Sequence, residues 1–147
     1  MERFSLRCAV YLILIQEGRV LLARRANTGY KDGQFGLPSG HLDGGECAKV
    51  ALAREANEEI GIRVSPSDLR LVYTLHRRST GGGKDYEYID LYFVADTWKG
   101  VPTNCEPDFC SEVSWHEIED LPEETIDFIR HVLSESKTGN IYSEFGF

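Results

Sequence analysis

The stretch that most constrains this chain runs from Cys47 to Ile60. It contains no Gly or Pro, is rich in Ala, Leu and Glu, and stops at Gly61, so it is predicted to be an α-helix closed by a C-cap glycine. At about 100° per residue, with Ala48 at zero, Leu52 falls near 40°, Ala56 near 80° and Ala51 near 300°. On the same wheel Glu59 falls near 20°, Glu55 near 340° and Glu58 near 280°. Two carboxylates therefore interrupt the apolar stripe and a third lies on its edge. Burying ionised carboxylates is costly unless something pairs with them, and clustered like charges add repulsion. A solvated acidic face is the ordinary fate of helix glutamates, but here it would also expose Leu52 and the alanine row. Divalent cations resolve the conflict: oxygen ligands at i, i+3 and i+4 on one face suit magnesium, which keeps waters that substrate phosphates can replace. Arg54, four residues before Glu58, is placed either to orient these carboxylates or to form an ordinary surface salt bridge.

Around this helix the chain alternates strand and turn signals. Phe4 to Gln16 reads as a strand, Glu17-Gly18 as a turn and Arg19 to Arg25 as the returning strand of a hairpin. A polar loop covers Ala26 to Gln34, and Phe35 to Pro38 forms a short strand entering a glycine-rich turn that ends at Glu46. Leu69 to His76, Tyr86 to Asp96 and Glu112 to Trp115 are further strands; the first two are separated by Ser79-Thr80-Gly81-Gly82-Gly83. Glu123 to Ser136 is a second helix, with Ile126, Ile129, Val132 and Leu133 on one face. Strands bracketing two separated helices, without regular βαβ alternation, predict an α/β (α+β) fold. At 147 residues the expectation is one domain, 1–147, with no internal repeat or linker.

The formal charge of −8 argues against non-specific binding of a nucleic-acid polymer, which needs a basic footprint. No segment is apolar enough to span a membrane and no signal peptide precedes the first strand, so a cytoplasmic protein is expected. The four cysteines, Cys8, Cys47, Cys105 and Cys110, match no metal knuckle, even with His116 nearby, and read as reduced thiols. The aromatic tail from Ile141 to Phe147 packs either on its own core or on a partner subunit, which leaves a homodimer open.

Gly40, five residues, Glu46, seven residues, then Arg54-Glu55-Ala56-Asn57-Glu58-Glu59-Ile60-Gly61-Ile62 resembles the nudix box, here 40–62. Every fixed position matches, a coincidence expected at a given start on the order of once in 10⁸ or more rarely from average residue frequencies. Ala56 is smaller than the usual aliphatic, and Leu37-Pro38-Ser39-Gly40-His41 carries Ser39 where the family has glycine. The resemblance implies an α/β/α sandwich with a mixed β-sheet, and hydrolysis of a nucleoside diphosphate linked to another group. It implies Mg²⁺, with Mn²⁺ as an alternative, bound by Glu55, Glu58, Glu59 and the Gly40 carbonyl. Glu46 and Arg54 would brace the loop–helix junction. One box glutamate, or an acid from a later loop, would deprotonate the attacking water.

The segments Trp98 to Pro107, Trp115 and Leu121-Pro122 are similar to the tail of MutT-type nucleoside triphosphate diphosphatases. That likeness makes Glu106 either a further metal ligand or base, or a loop surface charge. Arg25 matches an arginine at a substrate phosphate; since strand residues alternate faces, only one of Arg24 and Arg25 is expected to face the site. Phe35, Tyr88, Tyr92 and Trp115 are aromatic platforms for a base, or core residues. Arg77, Arg78 and Lys84 around the triple glycine either close over phosphates or sit on a solvated hairpin tip. The region Leu75-His76-Arg77-Arg78 lacks the proline of the ADP-ribose branch and the tyrosine of the diadenosine polyphosphate branch. The coenzyme A branch needs an extra arginine where this chain has Tyr30 or Lys31. The expected reaction is Mg-dependent conversion of a nucleoside triphosphate to monophosphate and pyrophosphate, as in sanitation of a nucleotide pool. A nucleotide-sugar or other nucleoside diphosphate hydrolase is the alternative, and a non-catalytic nucleotide sensor is the reading of another class. The complete box argues against the sensor, and the lack of a basic tract against messenger RNA decapping.

Overall fold

The computed structural model describes residues 1–79 and 85–147 and contains two β-sheets held between two helices. The first strand breaks at Leu14, so the single run expected from Phe4 to Gln16 becomes β1 (Arg7–Ile13) and β2 (Ile15–Gln16), each in a different sheet. The hairpin partner β3 (Arg19–Arg25) is as expected, followed by β4 (Phe35–Gly36). The glycine-rich turn after Pro38 proves to begin with a strand, β5 (Ser39–His41), which pairs antiparallel with β1. Helix α1 (Ala48–Ile60) is followed by a short 3₁₀ turn at Pro66–Asp68 and by β6 (Leu69–Ser79) and β7 (Tyr86–Ala95). Then come β8 (Cys110–Glu117), helix α2 (Asp127–Ser136) and β9 (Tyr142–Phe145).

The larger sheet has the order β5-β1-β7-β6-β9 and is mixed, with β1 parallel to β7 and β9 parallel to β6. The smaller is antiparallel and built on β3, which pairs with β2, β4 and β8. Strand alternation sorts the core into two layers. Ala9, Tyr11 and Ile13 of β1 join Phe128, Ile129, Val132 and Leu133 of α2, whereas Val10 and Leu12 join Leu52, Ala56 and Ile60 of α1. The result is the α/β/α sandwich the resemblance implies. Helix α2 starts at Asp127 rather than Glu123, because the preceding residues form a turn and Thr125 bridges to Phe35. The aromatic tail lies on its own sheet: β9 pairs with β6, Phe145 packs edge-on to Phe128, and the Phe147 ring lies 4.7 Å from that of His76. Among the described residues no helix is long and apolar enough to cross a membrane. The cysteines are all free thiols. Gly81–Gly83 and Lys84 lie outside the described residues; of the arginines named beside them, Arg78 pairs with Asp85 at 3.1 Å.

Candidate active site

Helix α1 ends where sequence required: Gly61 adopts φ +70°, a left-handed value that L side chains avoid, and its N–H donates to Asn57 O at 3.1 Å. The helix buries Leu52, Ala56 and Ile60, so Glu55 and Glu59 come out half-buried at the edge of the apolar face while Glu58 remains exposed. Arg54 ties the cluster together. It donates through Nε and Nη2 to Glu46, at 2.9–3.2 Å, and through Nη1 to Glu55 at 3.1 Å and Glu58 at 3.3 Å. Glu46 is thus held below the usual carboxylate range by Arg54, and the Arg54 guanidinium is held firmly protonated by Glu46 and Glu55.

Gly40 on β5 faces this cluster so closely that a Cβ there would fall 2.5 Å from Glu55 Cδ and 2.8 Å from Oε1. Its neighbour Ser39 donates its backbone N–H to Glu59 Oε2 at 3.1 Å. Burial nevertheless pushes the Glu59 carboxyl up to about 8; the Ser39 N–H opposes this, while Glu55 and Glu106 reinforce it. Glu55 is also raised, first by burial, with Arg54 pulling the other way.

Glu106 reaches the cluster from the loop between β7 and β8. That loop is fastened to the end of α1 by main-chain bonds, Thr103 N–H to Ile60 O and Cys105 N–H to Glu59 O, both 3.0 Å. Asn104 then closes it, accepting the Glu106 N–H at 3.1 Å and donating to Cys110 O at 2.7 Å. Glu106 lines the smaller cleft together with Glu59, and its charge helps to raise Glu55 and Glu59.

Two confluent clefts meet at this carboxylate face. The smaller, about 250 Å³, has Glu59 and Glu106 at one end and runs between Ala23, Leu37, Val113, Ile126 and Ile129. The larger, about 800 Å³, carries Glu55 and Glu59 and is lined with the cationic side chains of Arg25, Lys31 and Arg77. Tyr11, Arg25, Tyr30, Ser39 and Glu59 border both. Arg25 is fixed there by its Nε donating to Tyr30 O at 2.8 Å and its Nη2 to Thr28 Oγ1 at 3.2 Å. Arg24 and Arg25 both border the smaller cleft, but their side chains part: Arg24 Nε donates to Gly33 O at 2.9 Å with its guanidinium over the Phe35 ring, and Arg25 alone also borders the larger cleft.

The aromatic expectations divide. Phe35 lines neither cleft: its ring is 5% exposed in the core, edge-on to His116 and covered by Arg24. Trp115 stacks on Trp98 at 6.5 Å on the α1 side and also lines neither. Tyr92 is fully buried against Tyr11, whereas Tyr88 does border the larger cleft. Sequence reasoning missed the Ser39 amide, Tyr11, Tyr30 and His41; only their closeness to Arg25 and Gly40 along the chain could have flagged them.

The donor set suits a hard divalent cation. Among the described residues no group of three or more His, Cys, Asp or Glu side chains is gathered closely enough to hold a metal ion, and Arg54 occupies the space between Glu46, Glu55 and Glu58. A half-buried carboxyl that resists ionisation, facing two others, is what such an ion would relieve.

Fold and carboxylate helix together define a nudix hydrolase: a NUDIX domain model matches residues 5–135, and the chain belongs to that family. It is similar to the 8-oxo-dGTP diphosphatase of Escherichia coli, 26% identical over 103 residues, covering 67% of this chain and 71% of that one. It is likewise similar to the uncharacterized Nudix hydrolase YvcI of Bacillus subtilis, 27% identical over 109 residues and 74% of this chain, though the match spans only 65% of that relative. Among solved structures, a MutT NUDIX hydrolase from Burkholderia pseudomallei superimposes with a TM-score of 0.78 at 25% identity, covering 89% of this chain and 98% of that one.

Proposed function

We propose that this chain hydrolyses a nucleoside triphosphate to nucleoside monophosphate and pyrophosphate, with Mg²⁺ held by Glu55, Glu58, Glu59 and the Gly40 carbonyl. The observation that carries the reading is the convergence of Gly40, Glu55 and Glu59 with Arg25 and Lys31 in one cleft, beside a smaller and mostly apolar one that shares Glu59. When bound, the ion supplies charge neutralisation for the phosphates and lowers the pKa of a coordinated water. The protein does the rest. Arg54 holds the rotamers of Glu46, Glu55 and Glu58, and the Ser39 N–H aims Glu59. Arg25, propped by Tyr30 and Thr28, receives phosphate oxygens, and the apolar cleft takes the base. The water's proton goes to a carboxylate facing the junction, from the set Glu55, Glu59 and Glu106. The likeness to an 8-oxo-dGTP diphosphatase supports a triphosphate and a role in nucleotide-pool sanitation.

A second reading, a nucleoside diphosphate linked to a sugar or other group, draws on the size of the larger cleft and its tyrosines, Tyr30, Tyr86 and Tyr88. A panel of canonical and oxidised (d)NTPs and nucleotide sugars with magnesium separates them, since pyrophosphate release marks the first and two phosphomonoesters the second. Glu59→Gln is the control, and wild-type turnover by that variant would remove the assigned metal site. Tight nucleotide binding with no turnover at millimolar magnesium would point instead to a sensor.

A further inference from the structure

One charged pair in this protein is buried away from the carboxylate helix. Arg77 on β6 is 4% exposed and Asp90 on β7 is fully buried; among the described residues they are the buried charged side chains. Arg77 Nε donates to Asp90 Oδ2 at 2.6 Å and Nη2 to Oδ1 at 3.3 Å. The guanidinium is clamped between two aromatic rings, 4.2 Å from the centroid of Tyr88 and 4.1 Å from that of Phe128. A pair like this is poor value as a structural device, because well-packed apolar residues of similar volume serve a core as well or better.

Its position gives it another use. Arg77 lies in the wall of the larger cleft, which it shares with Arg25, Lys31, Glu55 and Glu59. A guanidinium offers five N–H donors, and Asp90 engages Nε and Nη2. The aromatic clamp and the carboxylate fix the plane of the fork, so the donors that Asp90 does not engage need no rotamer search to meet an anion in the cleft that Arg77 lines. Arg25, at the end of β3, and Lys31, in the loop after it, line the same cleft, so an anion there has cations besides Arg77 to offset Asp43, Glu55 and Glu59.

We propose that Arg77, preorganised by Asp90, Tyr88 and Phe128, is the specificity-determining donor for the terminal phosphate of a nucleoside triphosphate. This rests on the triphosphatase reading above and adds to it the residue that distinguishes triphosphate from diphosphate. Asp90 is a positioning residue and touches no substrate.

The test compares kcat/KM for a nucleoside triphosphate and the matching diphosphate in the wild type, in Arg77→Lys, and in Arg77→Met paired with Asp90→Asn so that no lone buried charge remains. The expected result is a fall of about tenfold or more in the triphosphate-to-diphosphate ratio for the paired variant, carried by KM, with Arg77→Lys recovering part of it. Equilibrium binding of the α,β-methylene triphosphate and diphosphate analogues is expected to show the same loss of discrimination. An unchanged ratio in folded variants, or equal losses on both nucleotides, overturns the assignment and leaves Arg77 a structural residue. A loss confined to nucleotide sugars also overturns it, and gives the cleft to a sugar. Wild-type protein that turns over none of these nucleotides refutes the triphosphatase reading itself, an outcome distinct from an unchanged ratio.

Discussion

Replacing Glu59 by glutamine should abolish turnover and yet make the metal-free protein more stable. In the folded chain the Glu59 carboxyl is raised from an ordinary 4.5 to about 8, chiefly by burial. An acid raised on folding binds its proton more tightly in the native state, so stability is fully present below about pH 4.5 and is lost as pH rises through about 8. At about 1.4 kcal/mol per tenfold change in proton affinity the loss has a ceiling of about 5 kcal/mol, and water reaching the cleft lowers it to about 2–3 kcal/mol. Glutamine keeps an oxygen for the Ser39 N–H and carries no charge at any pH. In EDTA, thermal unfolding should therefore show little difference between variant and wild type near pH 5, and a variant Tm higher by about 5–10 °C at pH 8.5. Millimolar magnesium at pH 8.5 should raise the wild-type Tm and leave the variant's nearly unmoved. A variant that is no more stable than wild type at pH 8.5, or a gap that does not grow with pH, would refute the reasoning.

Gly40→Ala should disable the site while leaving most of the fold intact, since the added methyl displaces Glu55; urea unfolding should report a loss of about 1–3 kcal/mol beside an activity loss far larger than that implies. Gly61→Ala forces a left-handed φ on an L residue and should cost about 1–2 kcal/mol in the same assay. Asp32→Ala removes the carboxylate that accepts from the Thr28 and Gly29 amides and the Thr28 hydroxyl, loosening the support of Arg25. Its expected signature is a raised KM with a smaller change in kcat, and an unchanged KM would count against Arg25 as a phosphate ligand. Leu52→Ala empties a fully buried position under α1 and should cost about 2–5 kcal/mol by chemical denaturation.

What could be read from the sequence was local. The helix, its glycine stop and its carboxylates follow from periodicity and spacing, which need no knowledge of partners. Strands β5 and β9 escaped because a strand of three or four residues owes its existence to the neighbour it bonds, β1 in one case and β6 in the other. The seat of Arg24 over Phe35 escaped because it depends on β4 pairing with β3, which brings Phe35 opposite Arg24. Arg77 and Asp90 lie 13 residues apart and meet only because Arg77 stands opposite Tyr88, which puts Asp90 on the diagonal. Of the two roles open to Phe35 and Trp115, packing is the one their neighbours describe: Phe35 is buried in the core and Trp115 is partly buried against Trp98.

The loop that carries Glu106 is joined to α1 through peptide groups at Thr103 and Cys105, not through their side chains. Its anchor therefore accepts any residue with an N–H at those two positions whose side chain clears Gly61, which Thr103 and Cys105 both approach. A lineage can rewrite the surface of this loop, changing what the cleft admits, while the distance from its acid to the helix stays fixed. Tolerance and rigidity, usually opposed, are here assigned to different atoms of the same residues.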